Sequence, residues 1–215
     1  MNAASGFFAK ATAAAADDQA RQESLAIAEG LKRQKAGLLD ELIVRYQHRL
    51  MRYLLYLTGN RDTAEDIFQE VWMRVLVHGG QFNARSRFET WLFTIARNLV
   101  IDQSRKRTLN SLDELIDGAG DDDRPMSFEV AAAGPTPFDR VSYLEDREMI
   151  AAALLDLDIL HREVLVLRFH EELSLDEIAS VTGTPLSTIK SRLYRGIAMM
   201  KHKLSDAVAR FEEAV

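Results

Sequence analysis

From Leu39 onward the large apolar residues fall into helical register. Leu39, Leu42, Ile43, Tyr46, Leu50, Tyr53, Leu54 and Leu57 recur at steps of three and four, which places them on one face of an α-helix that Gly59-Asn60 ends. Ala64, Ile67, Phe68, Val71, Trp72, Val75 and Leu76 form a second stripe, with Asp62 as its expected N-cap and Gly79-Gly80 as its stop. After a loop from Gln81 to Arg87, the residues Phe88, Trp91, Leu92, Ile95, Ala96 and Leu99 predict a third helix that finishes in Arg105-Lys106-Arg107. Ahead of these three helices, Met1 to about Lys35 is rich in Ala, Gln and alternating charge with few large apolar side chains, and reads as a loosely ordered or helical extension.

Periodicity fails between Thr108 and about Ser142, where Gly118, Gly120, Pro125, Gly134, Pro135 and Pro137 interrupt a segment dense in Asp. Beyond it, Glu145 to Leu157 and His161 to Phe169 predict two helices whose core is Met149, Ala153, Leu154, Val164, Leu165 and Leu167. Ser174 and Glu177 have the spacing of a capping box that starts a short helix, Leu175 to Val181. Gly183-Thr184-Pro185 is a tight turn, and a longer helix begins near Ser187 or Thr188 with Ile189, Leu193, Ile197, Met200 and Leu204 inside. The expected fold class is therefore all-α, two small helical modules joined by a flexible acidic linker. Its expected divisions are an extension over 1–36, a first module over 37–108, the linker over 109–143 and a second module over 144–215.

Composition narrows the chemistry. The chain has no Cys, which removes disulfides, thiolate metal sites and a Cys nucleophile. Apolar runs such as Ile150 to Leu155 are far shorter than the roughly 20 residues that span a bilayer, and no signal-peptide core follows the N-terminus, so the expected location is cytoplasmic without membrane insertion. A formal net charge of −6 argues at first against a nucleic-acid partner. The distribution of charge points the other way: from Asp113 through Glu148 eleven acids face three bases, a local balance of −8 that leaves the rest of the chain at +2. Such a segment can compete with DNA phosphate for the basic windows on either side, a brake at effective concentrations that reach the millimolar range.

The stretch from Ser174 to Arg195 has the grammar of a helix-turn-helix, with Ala179 and Gly183 small where the helices are expected to approach. Its second helix exposes Ser187, Thr188, Lys190, Ser191, Arg192 and Arg195, and no acid occurs from Leu186 to Lys203. Arg offers bidentate donors to guanine and Lys neutralises phosphate, so an anionic groove satisfies this face better than water alone. From Gln81 to Arg107 six bases are interleaved with Phe82, Phe88, Trp91 and Phe93, the pattern of a surface for an unpaired strand. Trp91 and Phe88 also lie on the apolar stripe and read first as core, whereas Arg97, Asn98 and Arg105 do not.

At these residues the chain resembles the extracytoplasmic-function group of bacterial sigma factors. Asp62-Thr63-Ala64-Glu65-Asp66-Ile67-Phe68-Gln69-Glu70-Val71-Trp72 is similar to the region-two helix that docks on the clamp coiled coil of the polymerase beta-prime subunit. The resemblance thus implies core-polymerase contacts from Asp62, Glu65, Asp66, Phe68, Gln69, Glu70 and Trp72. Phe88 to Asn98 and Asp102 to Arg107 resemble the helix that opens and reads the minus-ten element, which implies that role for Arg85, Arg87, Trp91, Arg97, Asn98 and Arg105. His161 to Leu165, Leu175 to Ala179 and Ser187 to Leu193 resemble region four, the reader of the minus-thirty-five element. The implied partners are core RNA polymerase, including its beta flap, promoter DNA and an anti-sigma protein. Ser187 stands where the family often has Gly, a change an N-cap tolerates.

Other chemistry finds little support. His161, His170, Glu171 and Glu172 lack a second ligand pair at helical spacing and read as solvated helix caps, so neither a metal nor a cofactor is expected. There is no nucleophile elbow, Walker loop or dinucleotide fingerprint, and no catalytic residue is assigned. A stand-alone helix-turn-helix regulator is the alternative reading, but it leaves the acidic-aromatic helix of the first module without a purpose. An enzyme with an appended helix-turn-helix needs a pocket motif that the sequence lacks.

Overall fold

The computed structural model describes residues 3–114 and 148–213, with side chains placed from 18 to 105 and from 148 to 205. The first module contains α1 (Ala3–Lys32), α2 (Leu38–Thr58), α3 (Arg61–His78), a 3-10 turn (Gly79–Gln81) and α4 (Phe88–Glu114). The second contains α5 (148–155), α6 (Ile159–Leu165), which runs on into a π-helical turn (Val166–His170), then α7 (Leu175–Thr182) and α8 (Leu186–Glu213). Among the described residues there is no strand. Of the expected linker, 109–114 continues α4, because no Gly or Pro stops the helix before Gly118; residues 115–147 lie outside the described residues, and with them most of the acidic segment.

The apolar stripes fold as their spacing dictates, with informative departures. Leu42, Tyr46, Leu50, Tyr53, Leu54 and Leu57 of α2 are buried against Ala64, Ile67, Val71 and Val75 of α3 and against Phe88, Leu92 and Ala96 of α4. The N-cap of α3 is Asn60 rather than Asp62: its side chain accepts from the Thr63 N–H at 2.9 Å, and Asp62 lies in the first turn beside the positive end of the helix dipole. Leu76 leaves the expected stripe and is exposed, as are Met73 and Val77. In α8, Ile189 and Leu193 are buried as expected, but Ile197 is exposed and Met200 only half-buried, because both line an open groove between α8 and the α5–α6 pair.

The N-terminal extension is a structural part of the first module. Ser24 and Ile27 of α1 are buried, and the Ser24 hydroxyl donates to the Ala20 carbonyl and accepts from the Phe88 N–H at 3.3 Å. A side chain from α1 thereby caps α4, whose first N–H groups have no partner within their own helix.

Two glycines have distinct reasons. Gly183 ends α7 at φ +60, with open space where a Cβ would stand, so the turn needs its backbone freedom and not, as the sequence suggests, a close approach. The close approach is at Gly196 in α8, where a Cβ would meet Leu165 of α6 at 3.2 Å. The two modules share one continuous apolar cluster that runs from Ile27 through the α2–α4 core to Leu154, Val164, Leu167, Ile178 and Leu193. Two helices of the first module bridge to the second, α2 touching α6 and α4 touching α7, while both also pack on α3.

Candidate nucleic-acid and polymerase interface

The helix-turn-helix forms as its capping chemistry requires. Ser174 Oγ accepts from the Glu177 N–H at 3.2 Å, and Glu177 Oε2 accepts from the Ser174 N–H at 2.8 Å, so the capping box is complete. Of the six residues expected to face DNA on α8, Ser187, Lys190, Ser191 and Arg195 are exposed and Thr188 is half-buried. Arg192 behaves differently. It is half-buried, its Nη1 has no hydrogen-bond partner among the described residues, and its charge acts on Glu163 of α6.

The aromatic-basic stretch divides in the same way. Phe82, Phe88 and Phe93 are core, and Trp91 is half-buried with its ring 5.1 Å from Phe82 and 5.8 Å from Phe88. Arg85, Asn98 and Arg105 are exposed. Arg87 pairs with Glu177 of α7 at 3.4 Å. Arg97 is only 17% exposed, and its Nε donates to Glu163 Oε1 at 2.9 Å.

On α3 the acids separate from the rings. Asp62, Asp66, Gln69 and Glu70 are exposed and Glu65 half-exposed, with Arg61–Glu65 and Arg74–Glu70 pairs one turn apart. Met73 and Val77 continue the line of Asp66 and Glu70 along the helix, so acids and apolar side chains share one outward strip. Trp72 is buried and Phe68 half-buried, stacked edge-on at 6.2 Å.

Where the modules meet, module two supplies carboxylates and module one guanidiniums. Glu171 has no exposed side-chain surface; it takes Arg49 Nε at 2.8 Å and Arg52 Nη2 at 3.0 Å. Arg49 also donates to the Glu171 carbonyl at 3.1 Å. Glu163, 3% exposed, accepts from Arg97 and from the Tyr53 hydroxyl at 3.1 Å. Burial pushes the Glu163 carboxyl above its ordinary value despite the Arg97 charge, and burial together with the Glu163 charge pushes the Tyr53 phenol well up. Arg162 bridges three carbonyls, those of Tyr56, Leu155 and Leu157.

Comparison with known proteins decides the family. The Sigma-70 region 2 model matches residues 42–109, and the Sigma-70, region 4 model matches 147–200. The chain is 34% identical to the ECF RNA polymerase sigma factor SigW of Bacillus subtilis, over 82% of this chain and 95% of that one. It belongs to the extracytoplasmic-function RNA polymerase sigma factors. A second relative, SigL of Mycobacterium tuberculosis, is 31% identical over 80% of this chain and 92% of its own. The sigma factor RpoE of Bartonella quintana, solved in complex with the anti-sigma factor NepR, superposes with a TM-score of 0.63 at 25% identity, covering 79% of this chain and 98% of that one. This sigma factor is thus an alternative initiation factor that directs polymerase to promoters, and sigma factors as a class are non-catalytic. No helix among its described residues is long and apolar enough to cross a membrane, and those residues hold no cluster of three or more metal-ligating side chains.

Sequence reasoning on this sigma factor carries Glu163 only as part of the His161 to Leu165 block, with no role of its own, and makes Glu171 a solvated cap. Burial of Glu171 corrects that reading: the π-helical turn ends against α2 rather than in solvent, and Arg49 and Arg52 meet the carboxylate there. The available signal is on α2, where Arg49, Arg52 and Tyr56 flank Tyr53 at the edge of the apolar stripe, a strip too polar for core and too aromatic for solvent.

Proposed function

We propose that α8 reads the minus-thirty-five element, that the 82–87 loop and α4 open and read the minus-ten element, and that the outward strip of α3 docks on core polymerase. The observation that carries this reading is the acid-free window from Leu186 to Lys203, which presents Lys190, Ser191 and Arg195 to solvent from the second helix of a fully capped helix-turn-helix. Ser187 and Thr188 stand at its N-terminal end, where side chains reach base edges. Arg85, Asn98 and Arg105 are exposed for the minus-ten strand, Trp91 offers part of a ring, and Arg87 and Arg97 reach DNA only after leaving Glu177 and Glu163.

Docking on α3 relies on Asp62, Glu65, Asp66, Gln69 and Glu70, with Met73 and Val77 as apolar anchors; Phe68 supports the strip and Trp72 holds it from beneath. Module two carries an apolar groove of about 850 Å³ lined by Ile150, Leu154, Leu165, Phe169, Ile197 and Met200. Together with the complex formed by the Bartonella relative, it supports an anti-sigma partner for this chain. A cytoplasmic place of action rests on the chain's membership of a family that acts on RNA polymerase. Run-off transcription with core polymerase tests the reading. Promoter-specific transcripts that need the chain, and that fall at least tenfold with Asp66→Lys/Glu70→Lys, are expected. Tight, sequence-specific DNA binding by the chain without core would instead favour a stand-alone regulator.

A further inference from the structure

The loop over 82–87 is held at both ends by α1, a helix with no other part in the proposed interface. We propose that α1 is a positioning element for minus-ten recognition: Leu31 and Ser24 clamp the two ends of that loop and fix Asn83, Arg85 and Ser86 in the conformation that meets the unpaired strand. The proposal rests on the reading of the loop as part of the minus-ten interface. It makes Ser24 and Leu31 specificity residues that act through the loop and not on DNA.

Ser24, Ile27 and Leu31 stand at helical steps and so share one face of α1. Ile27 is buried in the core of the first module, and Glu23 pairs with Arg45 of α2, which together fix this stretch of helix in place. Leu31 lies so close to Gly79 that a Cβ there would meet its Cδ2 at 3.2 Å, and the 3-10 turn that leads into the loop starts at that glycine. Two turns back along α1, Ser24 Oγ takes the Phe88 N–H, where the loop ends and α4 begins. Between these ends the backbone is not relaxed. Ala84 sits at φ +54, in the left-handed region that favours glycine, and beside it Asn83 Oδ1 accepts from the Arg85 N–H at 3.1 Å. Such a conformation persists only where its surroundings over-determine it. Here the surroundings are Phe82, packed on Phe88 and Trp91, and the two contacts from α1. Freeing either end lets Ala84 relax to negative φ, which re-aims Asn83 and Arg85.

Hydrogen exchange on the full chain reads the clamp, and transcription by reconstituted holoenzyme reads what the clamp is for. Ser24→Ala deletes the acceptor while raising the helix propensity of α1, so fraying of that helix does not confuse the result. Leu31→Ala loosens the opposite end. Either change should speed exchange of the 83–88 amides and leave those of α2 and α3 as protected as in the parent. Base preference is then taken from transcripts of two promoter libraries, one randomised at the minus-ten element and one at the minus-thirty-five. Both variants should lose about fivefold in discrimination at minus-ten positions, the lower end of what one base-reading contact supplies. Core affinity and the preference at minus-thirty-five should stay at parental values. Unchanged exchange at 83–88 overturns the clamp. Faster exchange with full minus-ten discrimination overturns the positioning role, and so does an equal loss at both elements or a loss of core affinity, each the mark of a merely structural contact. Arg85→Ala judges the underlying reading. If it leaves minus-ten discrimination intact while Ser24→Ala speeds exchange, the loop is clamped but does not read the element, and the positioning role falls with that reading.

Discussion

Arg162→Leu is expected to be the most destabilising single change outside the apolar core. The Arg162 guanidinium donates to the carbonyl of Tyr56 at 2.8 Å, of Leu155 at 2.5 Å and of Leu157 at 2.7 Å. Tyr56 lies in the last turn of α2, while Leu155 and Leu157 lie at and just beyond the end of α5, so the three oxygens are those that helix C-termini leave without partners. A cation there also meets the negative ends of two helix dipoles. Charged hydrogen bonds contribute about 1.5–3 kcal/mol each, but burial opposes this guanidinium, depressing its pKa, and water recovers part of the loss, which leaves a net cost of about 3 kcal/mol. At about 2–4 °C per kcal/mol for a chain of this size, Tm should fall by roughly 6–12 °C. Urea unfolding followed by tryptophan fluorescence, with both tryptophans in module one, and by far-ultraviolet dichroism reads the change in both halves. Arg168→Leu is the control, since exposed Arg168 reaches, among the described residues, the Leu173 carbonyl alone, and it should cost about 1 kcal/mol or less. An Arg162→Leu chain that unfolds within about 1 kcal/mol of the parent would refute the capping argument.

Ser24→Ala removes the acceptor for the first N–H of α4 but improves helix propensity in α1, so a net loss of about 0.5–1 kcal/mol is expected by urea titration, and a gain would show that the contact is not formed. Glu163 faces Arg97, Tyr53 and Arg192, and its carboxyl is raised on burial; the stability it contributes is complete below the ordinary Glu value and is lost as pH rises through the raised one. Unfolding midpoints from about pH 4 upward should therefore rise less steeply in the parent than in Glu163→Gln, and parallel curves would contradict this. Arg195→Ala should cost about 1–3 kcal/mol of discrimination at one upstream base position, whereas Lys190→Ala should weaken all sequences alike and lower the salt slope by about 1, both measured in holoenzyme.

The helices and the helix-turn-helix are legible because each is fixed by neighbours in sequence. The Ser174–Glu177 box needs only residues three apart, and the stripe of α2 only its own period. What stays hidden depends on partners far along the chain. Ser24 meets Phe88 across 64 positions, and Arg49 meets Glu171 across 122, distances at which neither period nor charge pattern says who pairs with whom. Local cues also mislead where two mechanisms share one residue type, as at Gly183, where backbone conformation rather than space selects glycine. Among candidate site residues, the pattern gives exposure correctly for Lys190, Arg195, Asn98 and Arg105. It fails for Arg97 and Arg192, which stand on the same helices but turn toward Glu163.

Helix α2 has consequences for the lifetime of the factor. The edge of its apolar stripe carries Tyr53 and Tyr56, both buried, with Tyr56 5.3 Å from the His170 ring. Separating the modules off the polymerase would bare these rings, the kind of sticky surface that draws proteases and nucleates aggregates. A factor that opens only against its polymerase is spared that exposure. Its abundance in the cell should then follow how firmly α2 is covered, so substitutions that loosen the seam should shorten its half-life before they alter any promoter.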